Sequence, residues 1–131
     1  MTIRPAVPAD FPRLRALLAD NGQMIEGVDY ATFSPPCLVL VRSAAVVGFI
    51  QALVGRPVAV ITDLAIDPAH HRKGYGVRLL SHMDTLLRDY GVTAWVAYAG
   101  SKKTTVQRAL TKYGAASQGD GTGYVRRLNC P

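Results

Sequence analysis

The segment from residue 59 to residue 90 most constrains how this chain can fold. An apolar run over residues 59–66 ends at Asp67-Pro68, and a basic loop with two glycines follows it. Beyond the loop, apolar residues recur at steps of three and four, which predicts one face of a helix: Leu80, Met83, Leu87 and Tyr90. The order strand, basic glycine loop, helix directs free backbone N–H groups and the positive end of the helix at one point. Such a point favours a phosphate.

Two common phosphate-binding loops do not fit this segment. A P-loop has a Lys directly after its last Gly and then Ser or Thr, whereas here Lys73 precedes Gly74. The dinucleotide-binding fingerprint has a third Gly where Leu79 stands, and it needs an acidic residue at the end of the next strand, which is missing. The loop is therefore of another kind.

Residues 66–76 resemble the coenzyme A loop of the GNAT family of N-acetyltransferases. That family has the pattern Val-x-Pro-x-x-Gln/Arg-x-x-Gly-x-Gly/Ala at the end of a strand. Here Ile66 and Pro68 take the places of the Val and the Pro, and Gly74 and Gly76 those of the two glycines. His71 stands where Gln or Arg is usual, which is a departure from the pattern.

The resemblance implies acetyl-CoA as the cosubstrate and assigns roles to the residues around the loop. Backbone groups on the strand are expected to pair with the pantetheine arm, namely those of Leu64, Ala65 and Ile66. Backbone N–H groups of the loop are expected to hold the pyrophosphate, namely those of His71, Arg72, Lys73, Gly74, Tyr75 and Gly76. The coenzyme also carries negative charge, which suits the basic side chains Arg72, Lys73, Lys102 and Lys103.

The rest of the chain predicts a single α+β domain over residues 1–131. Strands are predicted at residues 3–4, 38–41, 46–54, 58–66, 93–98, 115–118 and 124–128. Helices are predicted from an Asp10 N-cap to Asn21-Gly22, over residues 75–90 and from residue 104 to 113, with a short second helix or a mobile loop in residues 24–33. The order β-α-α-β-β-β-α-β-α-β-β is that of the GNAT fold, with a mixed central sheet. Because a helix crosses over between them, strands 58–66 and 93–98 are expected to run parallel.

Acetyl transfer to an amine needs a group that takes the proton of the amine. In the family, the strand that corresponds to residues 58–66 borders the cleft in which the pantetheine arm lies. Asp63 is the only carboxylate on this strand, and it is the predicted base. The alternative is that Asp63 is a structural residue, bonded to a loop or to an Arg such as Arg42. Glu26 and Asp29 are other candidates for the base or for attracting a cationic amine, and a water chain is a further one.

The leaving thiolate can also receive a proton from the protein. The family's frequent acid is a Tyr four residues before a Gly at the end of a helix, and Leu110 stands at that position here. Tyr113 lies on the same helix but is expected to point elsewhere, into the core or towards the helix end. Tyr98, at the end of the parallel strand, is the predicted substitute, although an aromatic residue on a strand is more often part of the core.

The resemblance implies an acetyl-CoA-dependent N-acetyltransferase that acts on a primary amine of a small molecule, a peptide or a protein. The alternative is a regulatory coenzyme A-binding module of the same fold with little catalysis. A nucleic-acid-binding domain is a more distant reading, because the basic residues behind the net charge of +6 are scattered and do not interleave with aromatic residues. Homodimers are common in the family.

Composition narrows the class of protein further. With 131 residues, of which 49% are hydrophobic, the chain suits one globular domain. No apolar run has the length of a membrane span and the start lacks the apolar region of a signal peptide, so a cytoplasmic protein is expected. The two cysteines, Cys37 and Cys130, are too few for a disulfide scaffold or a zinc cluster, and no metal site is predicted. Cys37 opens an apolar strand and is expected to be a small core residue.

Overall fold

A seven-stranded mixed sheet with helices on both faces forms the protein. The computed structural model describes residues 1–99, 104–118 and 123–128. The strands are β1 Thr2–Pro5, β2 Cys37–Arg42, β3 Ala45–Leu53, β4 Val58–Ile66, β5 Ala94–Tyr98, β6 Ala116–Gln118 and β7 Gly123–Arg127. The helices are α1 Phe11–Asp20, α2 Tyr75–Asp89 and α3 Thr104–Tyr113, with 3-10 turns at Pro8–Asp10 and Pro68–His70. This arrangement confirms the predicted α+β class.

The strands lie in the order β1-β2-β3-β4-β5-β7-β6. Neighbouring strands are antiparallel except β4 and β5, which are parallel and are connected by α2. A parallel pair needs a crossover of this kind, so the helical period of residues 75–90 was sufficient to predict the direction of β5.

The parallel pair separates before β4 ends. Its ladder runs from Val58 opposite Ala94 to Ile61 opposite Ala97, whereas β4 continues to Ile66. On the other side of β4, Gln51 faces Asp63 and the next residue of β3 faces Ile61. Thr62 is therefore an extra residue, which makes a β-bulge and bends the strand. The bulge lies where β4 parts from β5, and a gap opens beyond it.

Two hydrophobic clusters fill the space on the two faces of the sheet. The larger lies against α2 and α3 and includes the fully buried Trp95, Leu79, Met83 and Leu110. The smaller lies against α1 and includes Leu14, Leu17, Leu18, Val39, Phe49 and Ala65. Cys37 is buried in the smaller cluster, as predicted for a core residue.

The predicted second helix is wrong. Between α1 and β2 the chain makes turns, and Gly22 and Gly27 have φ values of 65° and 83°. These left-handed residues interrupt a helix. Backbone groups of this segment also bond to side chains: Arg15 donates to the carbonyl of Tyr30 at 3.2 Å, and the Tyr30 hydroxyl accepts from the N–H of Ile25 at 3.1 Å. The segment is therefore a loop, which was the alternative to the helix.

Asp10 does not cap α1 as predicted. A 3-10 turn runs directly into the helix, and the Asp10 carboxylate turns back to accept from the N–H of Val7 at 2.9 Å and from Arg4 at 2.8 Å. The hydrogen bonds from Arg4, followed by that from Val7, hold the pKa of Asp10 below its usual value although burial opposes this. The residue thus ties β1 to the turn before α1.

Several predictions fall outside the part of the chain that the structure describes. They concern Lys102, Lys103, Cys130 and the connection between the last two predicted strands. Among the described helices, none has both the length and the apolar character needed to span a bilayer. The described residues also contain no group of three or more His, Cys, Asp or Glu that could hold a metal ion.

Candidate active site

The loop before α2 presents its backbone for binding. Gly74 is the N-cap residue with φ of 78°, and Arg72 also has a positive φ of 66°. In the described structure no side chain caps this helix end. The first N–H groups of a helix have no acceptor within the helix, so those of Tyr75, Gly76 and Val77 are open to a ligand. Together with the helix dipole they favour an anion at this position.

Contacts with α1 fix where the loop begins. The Asp67 carboxylate accepts from the N–H of Ala69 at 3.0 Å and from Arg13 at 2.9 Å. The bond from Ala69 is the main cause that holds the pKa of Asp67 below its usual value. Burial opposes it, and the bond from Arg13 adds to the lowering. Arg13 also donates to the carbonyl of Val46 on β3 at 2.9 Å. The end of β4 is therefore held between a neighbouring strand and α1.

A cavity of about 320 Å³ lies between the loop, the end of β4 and one face of α3. Seven of the nine predicted cofactor-binding residues line it: Leu64, Ile66, His71, Arg72, Gly74, Tyr75 and Gly76. Ala65 and Lys73 do not. The sequence thus predicted most of the wall that β4 and the loop provide.

Ala65 does not line the cavity, and the alternation along β4 gives the reason. Asp67 donates its backbone N–H to Val47 of β3 at 2.8 Å, and Ala65 pairs with Phe49 of the same strand. Alternate residues of a strand present their backbone groups to opposite edges. Leu64 and Ile66 therefore face the gap, whereas the backbone of Ala65 is already paired with β3.

The His71 side chain anchors the loop to the end of β4 and to Asn21. Its Nε2 lies 2.9 Å from the carbonyl oxygen of Ile66 and 3.2 Å from Oδ1 of Asn21. Asn21 in turn donates to the same Ile66 carbonyl at 2.9 Å. The backbone N–H of His71 donates to Pro68 at 3.3 Å, so the open N–H groups of the loop lie beyond His71.

Two basic residues that line the cavity were not predicted from the sequence. Arg108 and Lys112 extend from α3 into the same wall as Arg72. With Thr105 they follow the steps of three and four that put residues on one helical face, which is the signal that could have identified them. Because the helix is short and packs by its apolar face, its exposed face is free to carry this charge.

Asp63 and Tyr98, the two predicted catalytic residues, line one depression next to the cavity. Tyr98 is 71% exposed. It is therefore not a core residue, although an aromatic residue on a strand usually is. Leu110, at the position of the family's usual Tyr, is fully buried and lines the same depression. Tyr113 instead donates its hydroxyl to Asp84, away from the site, as predicted.

Asp63 is held by an amide and not by an Arg. Gln51 donates through Nε2 to Asp63 Oδ2 at 2.8 Å. Arg42, the partner that the structural alternative named, donates to the Tyr75 hydroxyl at 2.9 Å. Glu26 and Asp29 are exposed, and Asp29 accepts from the N–H of Ala31 within the loop.

Gln23 is a site residue that sequence reasoning missed. It is 8% exposed and lines both the cavity and the depression, together with Leu64 and Val106. Its side-chain amide makes no hydrogen bond within residues 1–99, 104–118 and 123–128, and it is not among the buried polar atoms there that lack a partner, so the amide is open to water or a ligand. Gln23 lies at the site because the loop after α1 runs past it, and no local sequence pattern predicts the course of this loop.

Comparison with known proteins agrees with this geometry. The sequence matches the model of the acetyltransferase (GNAT) family over residues 10–114. A search of curated protein sequences found no significant match.

Solved structures show the same fold at low sequence identity. N-acetylglutamate synthase from Neisseria gonorrhoeae, with coenzyme A and L-arginine, has a TM-score of 0.83 at 20% identity, and the match covers 98% of this chain and 33% of that one. The chain therefore spans about a third of that protein.

Two further matches cover nearly the whole of both chains. The yncA protein of Salmonella typhimurium, solved with its cofactor acetyl-CoA, has a TM-score of 0.78 at 20% identity, with coverage of 100% and 95%. Diaminobutyrate acetyltransferase from Paenibacillus lautus, with L-2,4-diaminobutyric acid and coenzyme A, has a TM-score of 0.78 at 18% identity, with coverage of 95% and 92%. The family match over most of the sequence, the split parallel pair and the glycine loop lead to one conclusion: this chain belongs to the GNAT acetyltransferase family.

Proposed function

We propose that this protein transfers the acetyl group of acetyl-CoA to a primary amine by direct attack of the amine on the thioester. The observation that carries the proposal is the continuity of the site. Gln23, Leu64 and Val106 line both the cavity below the glycine loop and the depression that holds Asp63. A ligand anchored at the loop therefore has a path along β4 to a carboxylate.

Binding of the coenzyme follows from the groups that the cavity leaves open. The N–H groups at the start of α2 suit the pyrophosphate, and Arg72, Arg108 and Lys112 suit its charge. The backbone of Leu64 faces the gap where β5 has separated, so a pantetheine arm can pair there like an added strand. The Ile66 carbonyl is already bonded to Asn21 and His71, which leaves less of Ile66 for that pairing.

The transfer step needs few protein groups. The amine nitrogen attacks the thioester carbonyl carbon, the Leu64 N–H stabilises the oxyanion, and collapse breaks the C–S bond. Asp63, directly or through a water, accepts the proton that the nitrogen loses. The Tyr98 hydroxyl gives a proton to the departing thiolate. Leu110 provides none, so the family's usual acid is replaced from β5.

Gln23 suits the junction of the two substrates. Its side-chain amide can both donate and accept, and no described residue uses either capacity. We assign it to the reacting end, where it would bind the acceptor amine or the acetyl group. The acetyl-CoA and the diaminobutyrate bound by the two fold relatives are ligands of these two classes.

A panel of amines tests the proposal. The panel would contain small diamines, amino acids, peptides with free N-termini and peptides with a single lysine, each incubated with acetyl-CoA and the protein. We expect amine-dependent release of free thiol, with the acetylated amine identified by mass spectrometry. If the protein binds acetyl-CoA but acetylates nothing on this panel, the coenzyme A-binding regulatory module replaces the enzyme.

A further inference from the structure

Gln51 is bonded on both sides of its side chain. Its Oε1 accepts from the backbone N–H of Ser34 at 2.8 Å, and its Nε2 donates to Asp63 Oδ2 at 2.8 Å. The N–H of Ser34 can only donate, so the amide has one orientation that satisfies both neighbours. In that orientation the group facing Asp63 is a hydrogen-bond donor.

The bulge in β4 brings these groups together. Because Thr62 is an extra residue, it and Asp63 both lie opposite Gln51. Gln51 Nε2 is 3.3 Å from the Thr62 hydroxyl, and that hydroxyl donates to the Gln51 carbonyl at 3.2 Å. Asp63 is thereby fixed on the sheet face opposite to that of Ile61 and Leu64, which are in the core with α2.

We propose that Gln51 is a positioning residue that holds Asp63 as the proton acceptor and couples it to the loop carrying Ser34. The inference rests on the proposed function, in which Asp63 is the base. No hydrogen bond to Asp63 Oδ1 is found in the described part of the chain, so one oxygen is fixed by Gln51 and the other is left for the amine or a water. The loop that carries Ser34 begins beside Gln23. A shift of this loop would move the Gln51 amide and, through it, the Asp63 carboxylate.

Two other titratable side chains lie near Asp63 and Gln51. Cys37 pairs with Gln51 across β2 and β3, and burial, followed by the charges of Asp63 and Asp10, raises the pKa of its thiol to about 12. Cys37 is therefore neutral throughout an ordinary assay range. Tyr98, on β5, is the other titratable side chain in the depression.

Gln51→Glu is the sharpest variant. The new carboxylate still accepts from the N–H of Ser34, but it lies beside the Asp63 carboxylate where the amide hydrogen bond was. Two adjacent carboxylates tend to share a proton. We expect the acidic limb of the pH profile of kcat/KM to move up by about one pH unit or more. Gln51→Ala should lower kcat by about tenfold with little change in the KM for acetyl-CoA. Thr85→Glu, on the exposed face of α2 near β1, adds the same charge away from the site and is the control.

A swapped pair separates positioning from folding. In the double variant Gln51→Glu with Asp63→Asn, the hydrogen bond between the two positions can form again with the carboxylate on the other residue. We expect its melting temperature to recover relative to Gln51→Glu while activity stays as low as in Asp63→Asn. An unmoved pH profile in Gln51→Glu, or restored activity in the swapped pair, would overturn the role of Gln51. Full activity of Asp63→Asn would instead remove the base from the proposed function, while acetyl transfer by the wild-type protein would still be measurable.

Discussion

At the scale of single residues, the two loop glycines serve different needs. Gly74 has φ of 78° and open space around it, so its conformation favours a glycine although its surroundings do not require one. A Cβ on Gly76 would lie 3.0 Å from the Cβ of Ala109, so this glycine permits α2 and α3 to approach each other. Substitutions at the two positions therefore fail for different reasons.

Gly74→Ala should weaken coenzyme A binding, because a residue with a Cβ resists the left-handed conformation that opens the loop. The strain is about 1 kcal/mol, and we expect a similar loss in the free energy of unfolding from urea titration. Gly91→Ala is a matched control, because Gly91 has φ of 81° and follows the far end of the same helix. Both variants should lose stability, but only Gly74→Ala should raise the Kd for coenzyme A. An equal effect of the two on Kd would contradict the assignment of the loop.

Asp63→Asn should lower kcat/KM for the acceptor by about 10²-fold or more, as expected for loss of a general base. The Kd for coenzyme A should hardly change, since Asp63 lies in the neighbouring depression and not at the phosphate position. The loss in kcat/KM should become smaller at high pH, where the free amine is already deprotonated before it binds. Kinetics and melting temperature measured together decide the matter: a lower melting temperature with intact kinetics would make Asp63 a structural partner of Gln51.

At the scale of elements, one ion pair ties β1 to the turn before α1. Asp10→Asn should lower stability at neutral pH by about 1 kcal/mol, because the carboxylate that accepts from Arg4 and Val7 loses its charge. The folded pKa of Asp10 is lowered, so the stabilisation is present above the unfolded pKa of about 3.9 and is lost as pH falls through the folded pKa. Urea titrations at neutral and acid pH should therefore show the variant and the wild type converging in acid. Asp20→Asn, at the exposed end of α1, should show no such difference.

A second tie joins α2, α3 and β5 through one buried carboxylate. Asp84 accepts from Trp95 Nε1 and from the Tyr113 hydroxyl, and the Arg126 guanidinium lies 5.1 Å from the Tyr113 ring centroid. Burial, then the hydrogen bond and charge of Asp84, raise the pKa of Tyr113 to about 12. The tie keeps α3 against α2, and α3 is one wall of the cavity.

Tyr113→Phe tests this tie at high pH. Between the unfolded pKa of about 10 and the folded value, the unfolded chain releases the Tyr113 proton and the native protein keeps it. Stability should therefore fall as pH rises through that window, and it should fall less steeply in Tyr113→Phe. Tyr90→Phe, which replaces a half-exposed tyrosine, is the control and should keep the wild-type slope. Equal slopes for all three proteins would contradict a raised pKa at Tyr113.

Periodicity predicted most elements but not the irregular ones. The helical steps after Gly74 and the apolar run before Asp67 gave β4, α2 and the parallel direction of β5. The bulge was missed because only the structure shows that Ile61 and Leu64 both lie in the same core cluster, a spacing of three that a regular strand does not allow. The false helix at residues 24–33 arose because side chains of α1 and of the loop satisfy its backbone, which a local pattern does not reveal.

At the scale of the whole molecule, the site is assembled from parts distant in sequence. Gln23, Asp63 and Tyr98 come from a loop and two strands, and Leu110 comes from α3. Family resemblance predicted the loop because the loop depends on a local motif. It did not predict Gln23 or Gln51, because their roles depend on how α1 and the loop after it lie over the sheet.

The central claim is that the cavity below the glycine loop binds coenzyme A, and thermal unfolding tests it most directly. Melting curves would be recorded with coenzyme A, acetyl-CoA, ATP or NAD at equal concentration. A ligand that binds only the folded protein stabilises it by about 2.7 kcal/mol at a hundredfold excess over its Kd. We predict a clear rise in melting temperature with coenzyme A and acetyl-CoA and a far smaller one with ATP and NAD. A melting temperature that does not move with millimolar coenzyme A would contradict the account.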